Sequence, residues 1–288
     1  MHAVIHAVGA PGMMPQSVPV LHPYSCGQFA RDTSVNSEGK IFMSVQYKKI
    51  ALLAPRPGLD DAAFRRYWRE THGPLVASSP GYAAYRQRYV QNHILAPGPV
   101  GARVAFAGMA EFWLPGDNED TYAFTSIYRD RIHVDELQFI DMDGTVSFTA
   151  LEHVIKPERG RAKLVVLSGR NGSIGLPEFR LRYTQDYVAS ALRVPGFAER
   201  LRGWRVDHLV EGSFRLPGAR RAPALQIDCA QSFWFDSGLE VVAAFAALDD
   251  ATRAGAVDGG IFSTVNCWSF QAEERVFFDQ GRSVVCVP

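Results

Sequence analysis

From Tyr47 to Leu53 the chain is β-prone and nearly all apolar, the pattern of a buried strand, and Pro55 with Pro57-Gly58 ends it. The period then changes. Phe64, Tyr67, Trp68, Thr71 and His72 fall at i, i+3, i+4, i+7 and i+8, one face of a helix that Asp60 and Asp61 open as N-cap and first-turn carboxylates. Arg65, Arg66, Arg69 and Glu70 take the other, solvated face, and Gly73-Pro74 predicts a stop directly after His72. Alternation follows from Tyr82 to Leu95, with Tyr85, Gln87, Tyr89, Gln91 and His93 on one side of a strand. A third strand, about Val104 to Leu114, puts Met109, Glu111 and Trp113 on one face and Gly108, Ala110 and Phe112 on the other. Asp117-Asn118 opens a predicted second helix holding Tyr122, Phe124, Ile127 and Tyr128. An irregular acidic stretch comes next, then a fourth strand from Thr145 to Ile155.

The order β-α-β-β-α-β then returns after a charged linker, residues 156–161. Its members are Leu164 to Leu167, Pro177 to Tyr187, Phe197 to Val210, Leu225 to Phe235, Gly238 to Leu248 and Asn266 to Phe278. Phe64 and Phe179, Pro80 and Pro195, and His93 and His208 are each 115 residues apart, and Phe112-Trp113 is answered by Phe233-Trp234 at 121. This reads as an old internal duplication. The fold class expected is α+β, with two ferredoxin-like repeats closing as an intramolecular α+β barrel, because each four-stranded sheet has a bare face to cover. The predicted boundaries are an N-terminal arm at 1–42, possessing four prolines and no period, then repeats at 43–157 and 158–288. The chain from Met43 onward is expected to fold without the arm.

Composition narrows the function classes. Thirty basic residues balance thirty acidic ones, so no bulk field draws the chain to nucleic acid or an anionic membrane. No apolar run approaches the roughly 20 residues of a membrane span, and no secretory leader is visible. Four scattered cysteines lack a C-x-x-C pair, which fits a reducing cytoplasm better than a disulfide or zinc framework. Nucleotide-loop, zincin and nucleophile-elbow motifs are missing.

The residues 48–76 (KKIALLAPRPGLDDAAFRRYWRETHGPLV), then PGYAAYRQRYVQNH and GMAEFWL, resemble the EthD-like family of the dimeric α+β barrel superfamily. The resemblance is good over about 47–155 and weaker over 164–278. It implies a mostly cofactor-free protein acting on apolar or aromatic small molecules. Relatives include dehydratases, decarboxylases, cyclases and tautomerases, besides cofactor-free oxygenases of aromatic compound metabolism. The family's helix histidine is His72, replaced in the second copy by Tyr187. The Asp-Gly that usually opens the third strand is Ala107-Gly108 in copy one and Asp228-Cys229 in copy two, so two pockets would not be equivalent.

These residues predict a cofactor-independent lyase or isomerase, of dehydratase or tautomerase type, using histidine acid–base chemistry. In that scheme His72, biased toward imidazolium by a helix end, donates to a developing oxyanion or leaving hydroxyl. His93 removes the proton beside the carbonyl. Tyr67, Trp68, Tyr89 and Trp113 wall an apolar pocket, and Glu111 orients a histidine. Tyr187, Trp204, His208 and Asp228 are the second-repeat candidates; Cys229 reads as a small core residue. No cofactor or metal is expected, and the expected partner is a small aromatic molecule, for a monomer or homodimer. A cofactor-free oxygenase and a non-catalytic binder of an apolar metabolite remain open. A helix-capping role for His72 and a structural one for His93 are the plainer alternatives.

Overall fold

A computed structural model of the chain describes residues 33–35, 41–43, 46–116, 121–213 and 226–280. The chain divides into two units, the first ending at Met43. In it, β1 (Thr33–Val35) pairs antiparallel with β2 (Ile41–Met43). The rest of the expected arm, and the Asp117-Asn118 helix start, lie outside the described residues.

The second unit begins with β3 (Gln46–Pro55), whose apolar run is buried as its composition demands. Asp60 caps α1 (Asp61–Tyr67), its side chain accepting from the Ala63 N–H at 2.7 Å. The helix does not stop at His72. It passes through a π turn, Trp68–His72, in which the Gly73 N–H reaches the Trp68 carbonyl, and continues as α2 (Gly73–Ala77). Pro74 is the second residue of α2, directly after the π turn. Next come β4 (Arg88–Pro97), β5 (Gly108–Trp113), α3 (His133–Phe139) and β6 (Ile140–Pro157). The stretch expected to be irregular and acidic is therefore partly helical: a π turn at Tyr128–Ile132 runs without a break into α3, whose first turn carries Asp135 and Glu136.

Beyond residues 158–161 follow β7 (Ala162–Arg170), α4 (Leu176–Arg182), a third π turn at Tyr183–Tyr187, and α5 (Val188–Ala191). Then α6 (Pro195–Ala198), β8 (Gly203–Leu209), β9 (Cys229–Phe235), α7 (Gly238–Arg253) and β10 (Phe262–Asp279) complete it. The strand expected from Phe197 starts only at Gly203, because Pro195 nucleates a helical turn first.

Eight strands close an antiparallel barrel in the order β10-β4-β5-β3-β6-β8-β9-β7. Alternation splits each strand between lumen and exterior. Ile50, Leu52, Met109, Phe148, Val165, Leu167 and Phe270 fill part of the lumen. On the outside, α1, the π turn and α3 pack on β4 and β5 through Phe64, Trp68, Tyr89 and Phe139, while α4 and α7 cover β8 and β9 through Phe179, Tyr183, Trp204 and Phe245.

Candidate functional site

The first π turn presents Trp68 and His72 to the outer face of the sheet. Gly108 makes this possible. A Cβ there would stand 2.2 Å from Trp68 Cζ3, so only a glycine lets the indole lie flat on β5. His93 comes up from β4 beneath the same ring, with centroids 4.6 Å apart. Its Nε2–H donates to Gln91 Oε1 at 2.8 Å, and the Gln91 amide in turn donates to the Trp68 carbonyl and the Tyr89 hydroxyl, at 2.9 and 2.8 Å. Tyr89 stacks on Phe112 at 4.7 Å.

His72 is 4% exposed, its ring against Phe139, and its Nδ1 lies 2.7 Å from Asp135 Oδ2. Tyr67 donates its hydroxyl to the other oxygen, Oδ1, also at 2.7 Å. Burial works to raise the Asp135 pKa, but the hydrogen bonds from His72 and Tyr67 hold it below the usual carboxylate range. An ionised Asp135 can only accept, which fixes the proton on Nδ1 and leaves Nε2 as the basic nitrogen of the neutral ring. Burial, then the bond to Asp135, pushes Tyr67 up to about 12.

The expected bias on His72 from a helix end is corrected here, since the helix runs on to Ala77 and a carboxylate supplies the local charge instead. Asp135 is the site residue that sequence reasoning missed; its signal was the acidic first turn of α3, unrecognised because the helix was placed too early. His93 as a general base at neutral pH is also corrected. Burial, reinforced by Arg275, Arg69 and Arg65, drives it down to about 3, so its ring is neutral and weakly basic.

Of the expected pocket walls, Tyr67, Trp68 and Tyr89 share this helix–sheet layer. Glu111 and Trp113 do not, because they sit on the lumen face of β5. Glu111 bonds Lys48 and Lys163 rather than a histidine. Trp113 lies against the Lys48 ammonium, 4.2 Å from its ring centroid, and its Nε1–H donates to Glu152 at 3.2 Å. Nor do the walls enclose open space: Trp68 and Tyr89 are fully buried. A cavity of about 300 Å³ opens instead at the N-terminal end of α1, lined among others by Arg65, Ile94, Arg103, Val104, Phe106 and Phe270. Arg65 is thus not merely solvated; it donates to the Ile94 carbonyl at 3.1 Å. His72 lies seven residues, about 10 Å, further along the helix.

In the second half, Tyr187 and Trp204 are buried and cross edge to face at 6.0 Å, and the Trp204 Nε1–H reaches the Tyr183 hydroxyl at 3.2 Å. Both ring nitrogens of His208 lack a hydrogen bond. Burial, then His153 and Arg180, holds its pKa well down, so it is no acid–base partner. Asp228 is clamped by Arg170, which meets it through both backbone N–H and guanidinium. Cys229 is a buried free thiol that burial pushes well up, a core residue as expected. Among the described residues, no helix is long and apolar enough to cross a membrane, and no three His, Cys, Asp or Glu side chains are placed to hold a metal ion.

A closed antiparallel barrel with helices packed on its outer face defines an α+β barrel protein. Residues 56–143, which contain α1, β4, β5 and the His72–Asp135 pair, match the EthD domain model. No curated relative matches the sequence. Among solved structures, an anthrone oxidase-like protein is similar with a TM-score of 0.49 at 12% identity, over 85% of this chain and 97% of its own. A protein named as a monooxygenase from Lactobacillus acidophilus NCFM reaches 0.45 at 9%, over 84% and 100%. A mutant chlorite dismutase from Candidatus Nitrospira defluvii reaches 0.42 at 10%, over 79% and 91%.

Proposed function

We propose that the chain is a cofactor-independent enzyme that deprotonates a small hydroxylated aromatic ketone, leaving the carbanion to react with dioxygen. The observation that carries this is the His72–Asp135 pair at 2.7 Å, with Tyr67 on the second carboxylate oxygen. Asp135 fixes the tautomer, His72 Nε2 takes the proton, and the imidazolium formed is stabilised by the carboxylate beside it. A dehydratase needs a second titrating group to protonate a leaving hydroxyl. The residue expected to complete such a pair, His93, is pinned neutral, and the Tyr67 hydroxyl is committed to Asp135 as a hydrogen-bond donor. One base suffices for deprotonation followed by oxygen capture, which is why the oxygenase reading is preferred over the lyase or isomerase one.

The same reading treats the chain as two fused EthD-like units, 43–157 and 158–288. It is supported by pairing orders that match, β4-β5-β3-β6 and β8-β9-β7-β10, and by two π turns 115 residues apart. The first unit is the working one, because Tyr187 stands where His72 would be needed.

Oxygen uptake with a panel of hydroxylated aromatic ketones tests this. We expect uptake matched to substrate loss, falling by about 10²-fold or more in His72→Gln and Asp135→Asn with folding intact. Substrate turnover without oxygen uptake would return the reaction to the isomerase class. Full activity in His72→Gln would remove the base, and ligand binding without turnover would make the protein a carrier.

A further inference from the structure

The lumen holds a second cluster of reactive groups, on the opposite face of the sheet from His72. Lys163 Nζ, on β7, lies 2.7 Å from Asn92 Oδ1 on β4 and 3.0 Å from Glu111 Oε2 on β5. The amide Nδ2 of Asn92 donates to that same Oε2 at 2.8 Å. Lys163, Asn92 and Glu111 are 3%, 0% and 2% exposed. Trp234 covers the ammonium, its ring centroid 4.9 Å from Nζ, and Glu274 Oε2 makes the remaining contact at 2.9 Å.

We propose that Lys163 and Asn92 join in an intramolecular amide cross-link, with Glu111 carrying the proton. One carboxylate oxygen touches both the attacking and the leaving nitrogen, which is the placement such a transfer requires. Glu111 takes a proton from the Lys163 ammonium, and the freed amine attacks Cγ of Asn92. The new C–N bond forms, the bond from Cγ to Nδ2 breaks, and the proton on Glu111 passes to the departing nitrogen. The balance is one ammonium and one primary amide giving one secondary amide and one ammonium ion, with no oxidant or reductant. Burial works to protonate Glu111, but Lys163 and Lys48 outweigh it and keep the carboxylate in its basic form. Burial also keeps out the water that would compete for the amide carbon.

The chain contains its own control. Lys48 and Lys163, like Asn92 and Asp207, are 115 residues apart, and Lys48 faces Asp207 as Lys163 faces Asn92. There the partner is a carboxylate, both of whose oxygens lie 3.0 Å from Nζ. Although burial opposes it, Asp207, Glu111 and Glu152 hold Lys48 firmly as ammonium, so that pair stays a salt bridge.

The test is the mass of the full chain under denaturing conditions, followed by tryptic mapping. A cross-link removes about 17 Da as ammonia and blocks cleavage after Lys163, so residues 89–103 and 162–170 should emerge as one branched peptide. Glu111→Gln and Lys163→Arg should restore the unlinked mass. Recovery of 89–103 as a free peptide from the wild-type chain overturns the proposal whether or not the variants fold. A loss of about 18 Da mapping to Lys48 and Asp207 would overturn the choice of pair.

Discussion

His72 and His93 lie in one layer, yet their surroundings give them opposite capacities. His72 has an ionised carboxylate on Nδ1; His93 has an amide oxygen on Nε2 and three arginines nearby. His93 therefore matters to stability rather than to proton transfer. Its folded pKa, about 3, lies below the ordinary 6.5, so between these values the unfolded chain binds the extra proton and stability falls on acidification. The stability this neutral ring contributes is intact above pH 6.5 and is lost, up to about 4 kcal/mol, as the pH drops toward 3. His93→Phe leaves Gln91 Oε1 unpaired and should be the less stable protein at pH 7, with the gap narrowing between pH 6 and 4. Urea titrations of both proteins across that range measure it. A constant gap would show that His93 is already charged in the fold.

The helix–strand contact depends on backbone features more than on polar chemistry. A π turn rotates Trp68 and His72 onto the sheet, and Gly108 gives the indole its place, with Phe64 at 5.7 Å on one side and His93 at 4.6 Å on the other. Trp68 has no room to retreat. Gly108→Ala should cost about 1–3 kcal/mol by overpacking, or roughly 2–10 °C in Tm for a unit of this size. It should also lower activity by tilting the helix that carries His72. Calorimetry and oxygen uptake on one preparation check both; an unchanged Tm would mean that β5 shifts freely.

Around the whole barrel, the buried ions tie its two halves together. Lys48 of β3 meets Glu111 of β5, Glu152 of β6 and Asp207 of β8. Removing one member strands the rest. Lys48→Met should cost about 3–5 kcal/mol, and the double variant Lys48→Met/Asp207→Leu clearly less, because it removes the charge left unpaired. Guanidinium denaturation of the set measures the difference, and equal costs would show that Asp207 does not depend on Lys48. Three carboxylates share this one ammonium, and burial pushes Asp207 up to about 7.

Periodicity alone determined much of this protein. The alternation in β4 put Tyr89, Gln91 and His93 on one side of that strand, and the alternation in β5 put Glu111 and Trp113 together on one side of theirs, since a strand's side chains must point to opposite sides. The helical spacing placed Trp68 and His72 together, and the bare sheet faces required a closed barrel. What local pattern could not carry was which face meets what. Glu111 and Trp113 look like site residues until the barrel closes and turns them toward two buried lysines from distant strands. His72 looks like a helix end until α3, 63 residues away in sequence, brings up Asp135. Ionisation state belongs to that same class of fact: a histidine's pKa is set by desolvation and by charges on other elements, and those distances exist only in the folded chain.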